Sequence, residues 1–164
     1  MGMIHSDDDN AIAYAQETKQ KAARLNVELI TKEVEKSADI RPLAEEMVAQ
    51  GVDAFGIPID SYYDLYDGKA TRNLVAVSHE TRVPIIAFVT HTTLKGSLLY
   101  VGCNFKTVGG LAGKNAVEIL RNSKKPEELP VLRQEDMTIL VDPAVIKYLG
   151  VEIPLGILQL AESI

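Results

Sequence analysis

Two hydrophobic periods alternate along the chain. Met3-Ile4 reads as the end of a buried strand, and Ala11, Ala15, Thr18, Ala22 and Leu25 then share one stripe at helical spacing. Val27-Glu28-Leu29-Ile30 reads as a short strand. Ile40, Leu43, Ala44, Met47 and Val48 recur at i, i+3, i+4, i+7 and i+8 and predict a second amphipathic helix, which Gly51, able to take positive φ, stops. Val52–Ile59 is strand-like and Thr71–Thr81 is predicted helical. Val83–Val89 is a continuous apolar run, the pattern of a strand covered on both faces. Leu98–Cys103 predicts another strand, and Val108, Leu111, Ala112, Ala116 and Ile119 lie on one side of the helix after it. The succession predicts an α/β fold, a parallel-sheet three-layer sandwich with helices on both faces.

One link strains this pattern. Only about half a dozen residues separate Thr90 from the strand at Leu98, whereas a parallel crossover normally takes a dozen or more. These two strands are therefore not expected to pair as parallel neighbours joined by a helix. The tail differs again. Pro126 and Pro130 punctuate a linker, Met137–Val141 predicts a late strand, Pro143 opens a short helix that ends near Gly150, and Pro154 starts a last helical stretch. The expected organisation is one α/β domain over 1–164, with a main lobe at 1–122 and a tail at 123–164.

Composition narrows the function classes. The chain has 164 residues, 46% hydrophobic and 24% charged, the profile of a globular domain. Its net charge is −6, and the 17 basic residues are dispersed, with Lys124-Lys125 the adjacent pair. A nucleic-acid binder would concentrate positive charge on one face, so that class is set aside. No apolar run reaches the ~20 residues of a membrane span, and no basic-then-apolar opening of a signal peptide is present. The single cysteine, Cys103, leaves no internal disulfide and is expected as a small buried hydrophobe.

In a parallel α/β sheet ligands bind beyond the carboxyl ends of the strands. The polar residues at those ends are His5-Ser6-Asp7-Asp8-Asp9-Asn10, then Asp60-Ser61, then Thr90-His91-Thr92-Thr93, and finally Asn104 with Lys106. Each has a structural reading too. Asp9 or Asn10 would cap a helix, as would Asp60-Ser61. His5 and His91 have no spacing that fixes a metal site, so neither metal nor cofactor is expected. His79 reads as a helix surface residue. Gly109, Gly110 and Gly113 do not follow a dinucleotide or phosphate-loop pattern, and close helix–sheet packing accounts for them better. No serine, cysteine or lysine sits in a nucleophile setting such as a Gly-x-Ser-x-Gly elbow, so the reading is binding and not an enzyme.

These residues resemble a family. Val52–Ser61 (VDAFGIPIDS) is similar to the "ADAIYVPTDN" segment of ABC-type solute-binding proteins of the tryptophan/tyrosine type. Lys95–Gly113 resembles that family's "KGALASYGxDYYELGRQTG", and Ile139–Pro154 its closing "LVINxxxAxxLGIxIP". Asp8-Asp9-Asn10-Ala11 falls where the family has "EPNS". The resemblance covers nearly the whole chain in one register. It implies a periplasmic-binding-protein-like fold of two lobes with ligand closed between them, of which this chain is the C-terminal lobe.

Carried over by position, the resemblance puts Asp9, Asn10, Asp60, Ser61, Thr90 and Asn104 on the ligand-facing rim. Ala11, Ser61, Asn104 and Lys106 depart from the family's serine, asparagine, aspartate and aromatic. The acidic run beside Asp60 suggests an amine or other cationic group on the ligand, such as an amino acid. The implied partners are a small polar solute, the N-terminal lobe, a membrane permease and, through the apolar lobe-facing surface, a second copy of the chain. The implied location is extracytoplasmic, and the same architecture serves sensory domains.

A phospho-receiver is the alternative. Asp7-Asp8, Asp60, Thr90 and Lys106 occupy its slots, with a Mg²⁺-binding carboxylate cluster and Asp60 as phosphoacceptor. The short link after Thr90 and the tail after Asn122 have no receiver counterpart.

Overall fold

The computed structural model describes residues 1–88 and 95–164. They divide into two compact units, Met1–Val101 with Ile139–Ile164, and Gly102–Thr138.

The first unit carries the sheet. Its strands are β1 (Gly2–Ser6), β2 (Ile30–Val34), β3 (Phe55–Ile57), β4 (Ile85–Ala87), β5 (Leu99–Gly102), β6 (Thr138–Val141) and β7 (Glu162–Ser163), in spatial order β2-β1-β3-β4-β5-β6-β7. β1 is parallel to both β2 and β3, with Gly2 beside Ile30 on one side and Phe55 on the other. The chain thus leaves β1 to one side and returns on the other, a switch point of the kind that opens a crevice at the strands' carboxyl ends.

Successive side chains of β1 face opposite ways. Met3 packs into a cluster with Ala15 and Ala22 of α1 (Asp9–Arg24). Ile4 packs into the main core with Ala44 and Met47 of α2 (Arg41–Ala49) and Ala70, Leu74 and Val77 of α3 (Leu65–Thr81). One strand therefore reads out both faces of the sandwich. Ile40 precedes α2 and is fully buried, and Gly51 after it takes φ 88°. α5 (Pro143–Leu149) adds Val145 and Leu149 against Leu98. The short α6 (Leu155–Leu158) leads into β7, whose residues run parallel to β6 with Glu162 beside Leu140. The sequence pattern extended this last stretch as helix only.

Other expectations shift. β2 starts at Ile30, where the apolar run Val27–Ile30 was predicted to end. The stretch 27–29 stays outside the sheet, because Leu25 caps α1 and is exposed and Asn26 turns with φ 56°. β4 and β5 do pair as parallel neighbours, Ile86 beside Leu99 and Ala87 beside Tyr100, against the expectation from the short link. Both strands are short, β4 ending at Ala87 and β5 starting at Leu99, so the link between them is longer than the sequence pattern suggested. Gly96 within it takes φ 86°, and a Cβ there would lie 2.4 Å from Val75 Cγ1, so only glycine fits against α3. His79 is half-buried and not a surface residue. Its ring lies 4.7 Å from that of Tyr148, and Arg82 lies over the same ring at 5.6 Å, tying the end of α3 to α5.

The second unit is α4 (Phe105–Asn122), a 3-10 turn at Pro126–Glu128 and an extended strap beyond it. Asn115 Nδ2 donates to the Pro130 carbonyl at 3.1 Å and holds the strap along the helix. No residue of α4 is buried, and a Cβ at Gly109, Gly110 or Gly113 would meet open space. Cys103 follows the end of β5 and is exposed, which corrects the buried reading. Among the described residues no helix is long and apolar enough to cross a membrane.

Candidate functional site

Parallel strands place their carboxyl ends on one edge, so the loops after β1, β2 and β3 emerge together. What fixes them is a carboxylate from the third loop. Asp60 is 7% exposed, and its Oδ2 accepts from the Ser6 backbone N–H at 2.6 Å. Its Oδ1 accepts from Ser6 Oγ at 3.0 Å and from the Tyr62 N–H at 2.9 Å. The last of these caps a 3-10 turn over Ser61–Tyr63. The carboxylate thus bridges the end of β1 to the end of β3 across the switch point.

The two tyrosines after it close the floor. Tyr63 is fully buried and donates its hydroxyl to the Ile4 carbonyl at 2.8 Å, while Tyr62 donates to the Ala38 carbonyl at 3.0 Å. Their rings meet edge to face at 5.5 Å. Burial, with the negative charges of Asp39 and Asp60 adding, pushes the Tyr62 phenol up to about 12. Burial also holds the Tyr63 phenol well above its ordinary value.

On this floor the rim carries Asp7 and Asp8 after β1 and Glu35, Lys36 and Ser37 after β2. Lys36 Nζ pairs with Asp8 Oδ2 at 2.7 Å, and that bond, reinforced by the charges of Asp8, Asp7 and Asp60, raises the ammonium above its ordinary value. Asp7, Asp8, Glu35, Lys36, Ser37 and Tyr66 line an open cavity of about 450 Å³. A second cavity of about 210 Å³ adjoins it and is lined by the same Lys36, Ser37 and Tyr66 together with Asp39, Tyr62, Lys69 and Asn73.

The residues predicted from sequence separate on this frame. Asp8, not Asp9 or Asn10, occupies the N-cap of α1, and its side chain makes no cap bond. Asp9 and Asn10 are exposed in the first turn of that helix. Ser61 is exposed and opens the 3-10 turn. Thr90, like His91, lies outside the described residues. Asn104 belongs to the second unit, where it caps α4 by accepting from Lys106 N–H at 3.0 Å and Thr107 N–H at 3.2 Å. His5 is 6% exposed and its Nδ1 contacts the Ser6 carbonyl, so it turns into the protein and away from the rim.

Glu35, Lys36, Ser37 and Tyr66 were not read from the sequence. The first three follow β2, and predicting that strand to end at Ile30 placed its carboxyl end too early. Among the described residues no group of His, Cys, Asp and Glu could hold a metal ion. With Asp60 committed to internal hydrogen bonds, the receiver arrangement lacks an accessible acceptor.

The fold is shared with known proteins. A tyrosine-binding protein of Clostridioides difficile is 22% identical over 154 residues, which is 93% of this chain and 43% of that protein. The ligand-free, open structure of a substrate-binding protein with adhesive properties from Clostridium difficile superposes with a TM-score of 0.78 at 22% identity, covering 99% of this chain and 53% of that one. An ABC domain from Streptococcus pneumonia in complex with L-Trp gives 0.78 at 24% identity, over 99% and 55%. A conserved domain protein of Vibrio cholerae gives 0.79 at 21%, over 99% and 53%. The chain spans about half the length of the relatives it matches. The model of the ABC transporter substrate binding protein family matches residues 1–164, and the chain belongs to that family.

Proposed function

We propose that this chain forms one wall of a solute-binding cleft in an ABC transport system, acting by binding and not by catalysis. The observation that carries the reading is the pair of adjoining cavities at the carboxyl edge beside the β1/β3 switch point, held in place by the Asp60 latch. Such a crevice is where α/β sheets take small ligands. The ligand is a small polar solute, an amino acid, in keeping with relatives that are a tyrosine-binding protein and a complex with L-Trp.

Asp9, Asn10 and Ser61 are proposed to face it, and Asp60 to hold the rim from beneath. A second lobe would close over the opposite side. Higher affinity of the solute for the closed state would shift the population toward it, and an extracytoplasmic permease surface would read that shape.

Isothermal titration calorimetry of the chain against amino acids and amines tests this, with Mg²⁺ and beryllofluoride as the receiver control. Saturable heat with an amino acid is the expected outcome. Heat only with Mg²⁺ and beryllofluoride, lost in Asp60→Asn, would overturn it in favour of the receiver.

A further inference from the structure

Of the tyrosines around the site, Tyr62 and Tyr63 are buried in the floor. Tyr66 is 66% exposed. Its backbone is also unusual. Tyr66, Asp67 and Gly68 take φ of 51°, 58° and 71°, three consecutive left-handed residues at the start of α3. Glycine adopts this region freely, but for an L-residue with a side chain it costs roughly 1–2 kcal/mol. A bulky aromatic there is an outlier that persists only when its surroundings fix it. Thr71 Oγ1 donates to the Tyr63 carbonyl at 2.8 Å, and Arg72 is bonded to Asp67, which locks the turn from its far side.

The turn has a consequence for the cleft. Lys36, Ser37 and Tyr66 are the residues common to both cavities, so they form the partition between the smaller pocket and the larger open one. The Lys36 ammonium is engaged by Asp8, and Ser37 is short. Tyr66 supplies the apolar area of that partition, a planar ring with which no other described residue forms a hydrogen bond. We propose that Tyr66 is a specificity-determining residue of this cleft, its ring stacking on a planar group of the solute. Offset or edge-on stacking at such a surface discriminates a flat, unsaturated side chain from a branched aliphatic one.

The proposal rests on the solute-binding reading, and its test separates the two. Calorimetry of the full chain would use L-tyrosine, L-tryptophan, L-leucine and L-glutamine as probes, comparing wild type with Tyr66→Ala, Tyr66→Phe and Tyr66→Trp. Wild type is expected to prefer the aromatic probes, Tyr66→Ala to lose about ten-fold of that preference, and the Phe and Trp variants to keep it. A Tyr66→Ala protein with the wild-type ratio of affinities overturns the assignment, as does a wild type that binds these solutes with no aromatic preference. A wild type that binds none of the probes overturns the solute-binding reading and this proposal with it.

Discussion

Replacing Asp60 by asparagine isolates the latch with the least change in shape. In the native arrangement one oxygen takes the Ser6 N–H at 2.6 Å, and the other takes Ser6 Oγ at 3.0 Å and the Tyr62 N–H at 2.9 Å. An amide has one acceptor oxygen. If that oxygen stays with Ser6 Oγ and Tyr62, the new NH2 meets the Ser6 N–H donor to donor. If the amide flips, it meets the Tyr62 N–H instead. Either way one buried backbone donor is left unsatisfied, at about 1–3 kcal/mol, and the remaining bonds lose the assistance of charge. The sum is a loss of about 2–4 kcal/mol, which in a domain of this size lowers the thermal midpoint by roughly 5–15 °C.

Urea unfolding followed by circular dichroism would measure it, with exposed Ser61→Ala as the neutral control. Ser6→Ala removes one of the three bonds and should cost less. The double variant should cost less than the sum, because both changes act on one network. An Asp60→Asn protein within about 0.5 kcal/mol of wild type would refute the reasoning, since that is the range of substitutions that touch nothing.

The Tyr62 phenol ionises near 10 in the unfolded chain and near 12 in the folded one, so the neutral form is favoured by folding. The stability this represents is complete below pH 10 and is lost as pH rises through about 12; phenolate absorbance and melting should show it, and Tyr62→Phe should remove that share. Tyr66→Gly should raise the thermal midpoint, since glycine occupies φ 51° without strain; an unchanged or lower midpoint would count against a strained turn. Cys103 is exposed, so a thiol reagent should label it in the native protein, and strong native protection would contradict its position. Leu120 and Val131 of the second unit are 82% and 85% exposed, and with the other apolar side chains of α4 they predict concentration-dependent self-association in sedimentation; a clean monomer at high concentration would refute it.

The elements whose apolar residues meet the core were legible from sequence. α2 is the clearest, because Ile40, Ala44 and Met47 are all fully buried and Gly51 ends it as its freedom of φ requires. β2 was displaced because it is an edge strand. Its residues Thr31, Lys32 and Glu33 are polar, and its pairing with β1 comes from backbone bonds that carry no hydrophobic signature. That error then hid Glu35–Ser37. The left-handed turn at Tyr66 was invisible for another reason: nothing in a Tyr-Asp pair favours positive φ, and the surrounding packing imposes it. The Asp60–Ser6 latch joins residues 54 apart, a contact that local pattern does not encode.

The same latch changes what the acidic residues mean. In sequence, Asp7, Asp8, Asp9 and Asp60 read as a concentrated negative site that would favour a cation. In the fold Asp60 is turned inward onto Ser6 and Tyr62, and Asp8 is paired with Lys36. The charge left facing the open cavity is then chiefly that of Asp7 and Glu35, and the adjoining pocket carries Lys69 together with Asp39. A rim that carries both signs suits a zwitterion, whose ammonium and carboxylate are a few bonds apart, better than a polycation. That mixture of charge is in keeping with the proposed amino acid ligand. The amine arm of the calorimetric comparison decides it, because a polyamine that outcompetes every amino acid would mean that the acids act together after all.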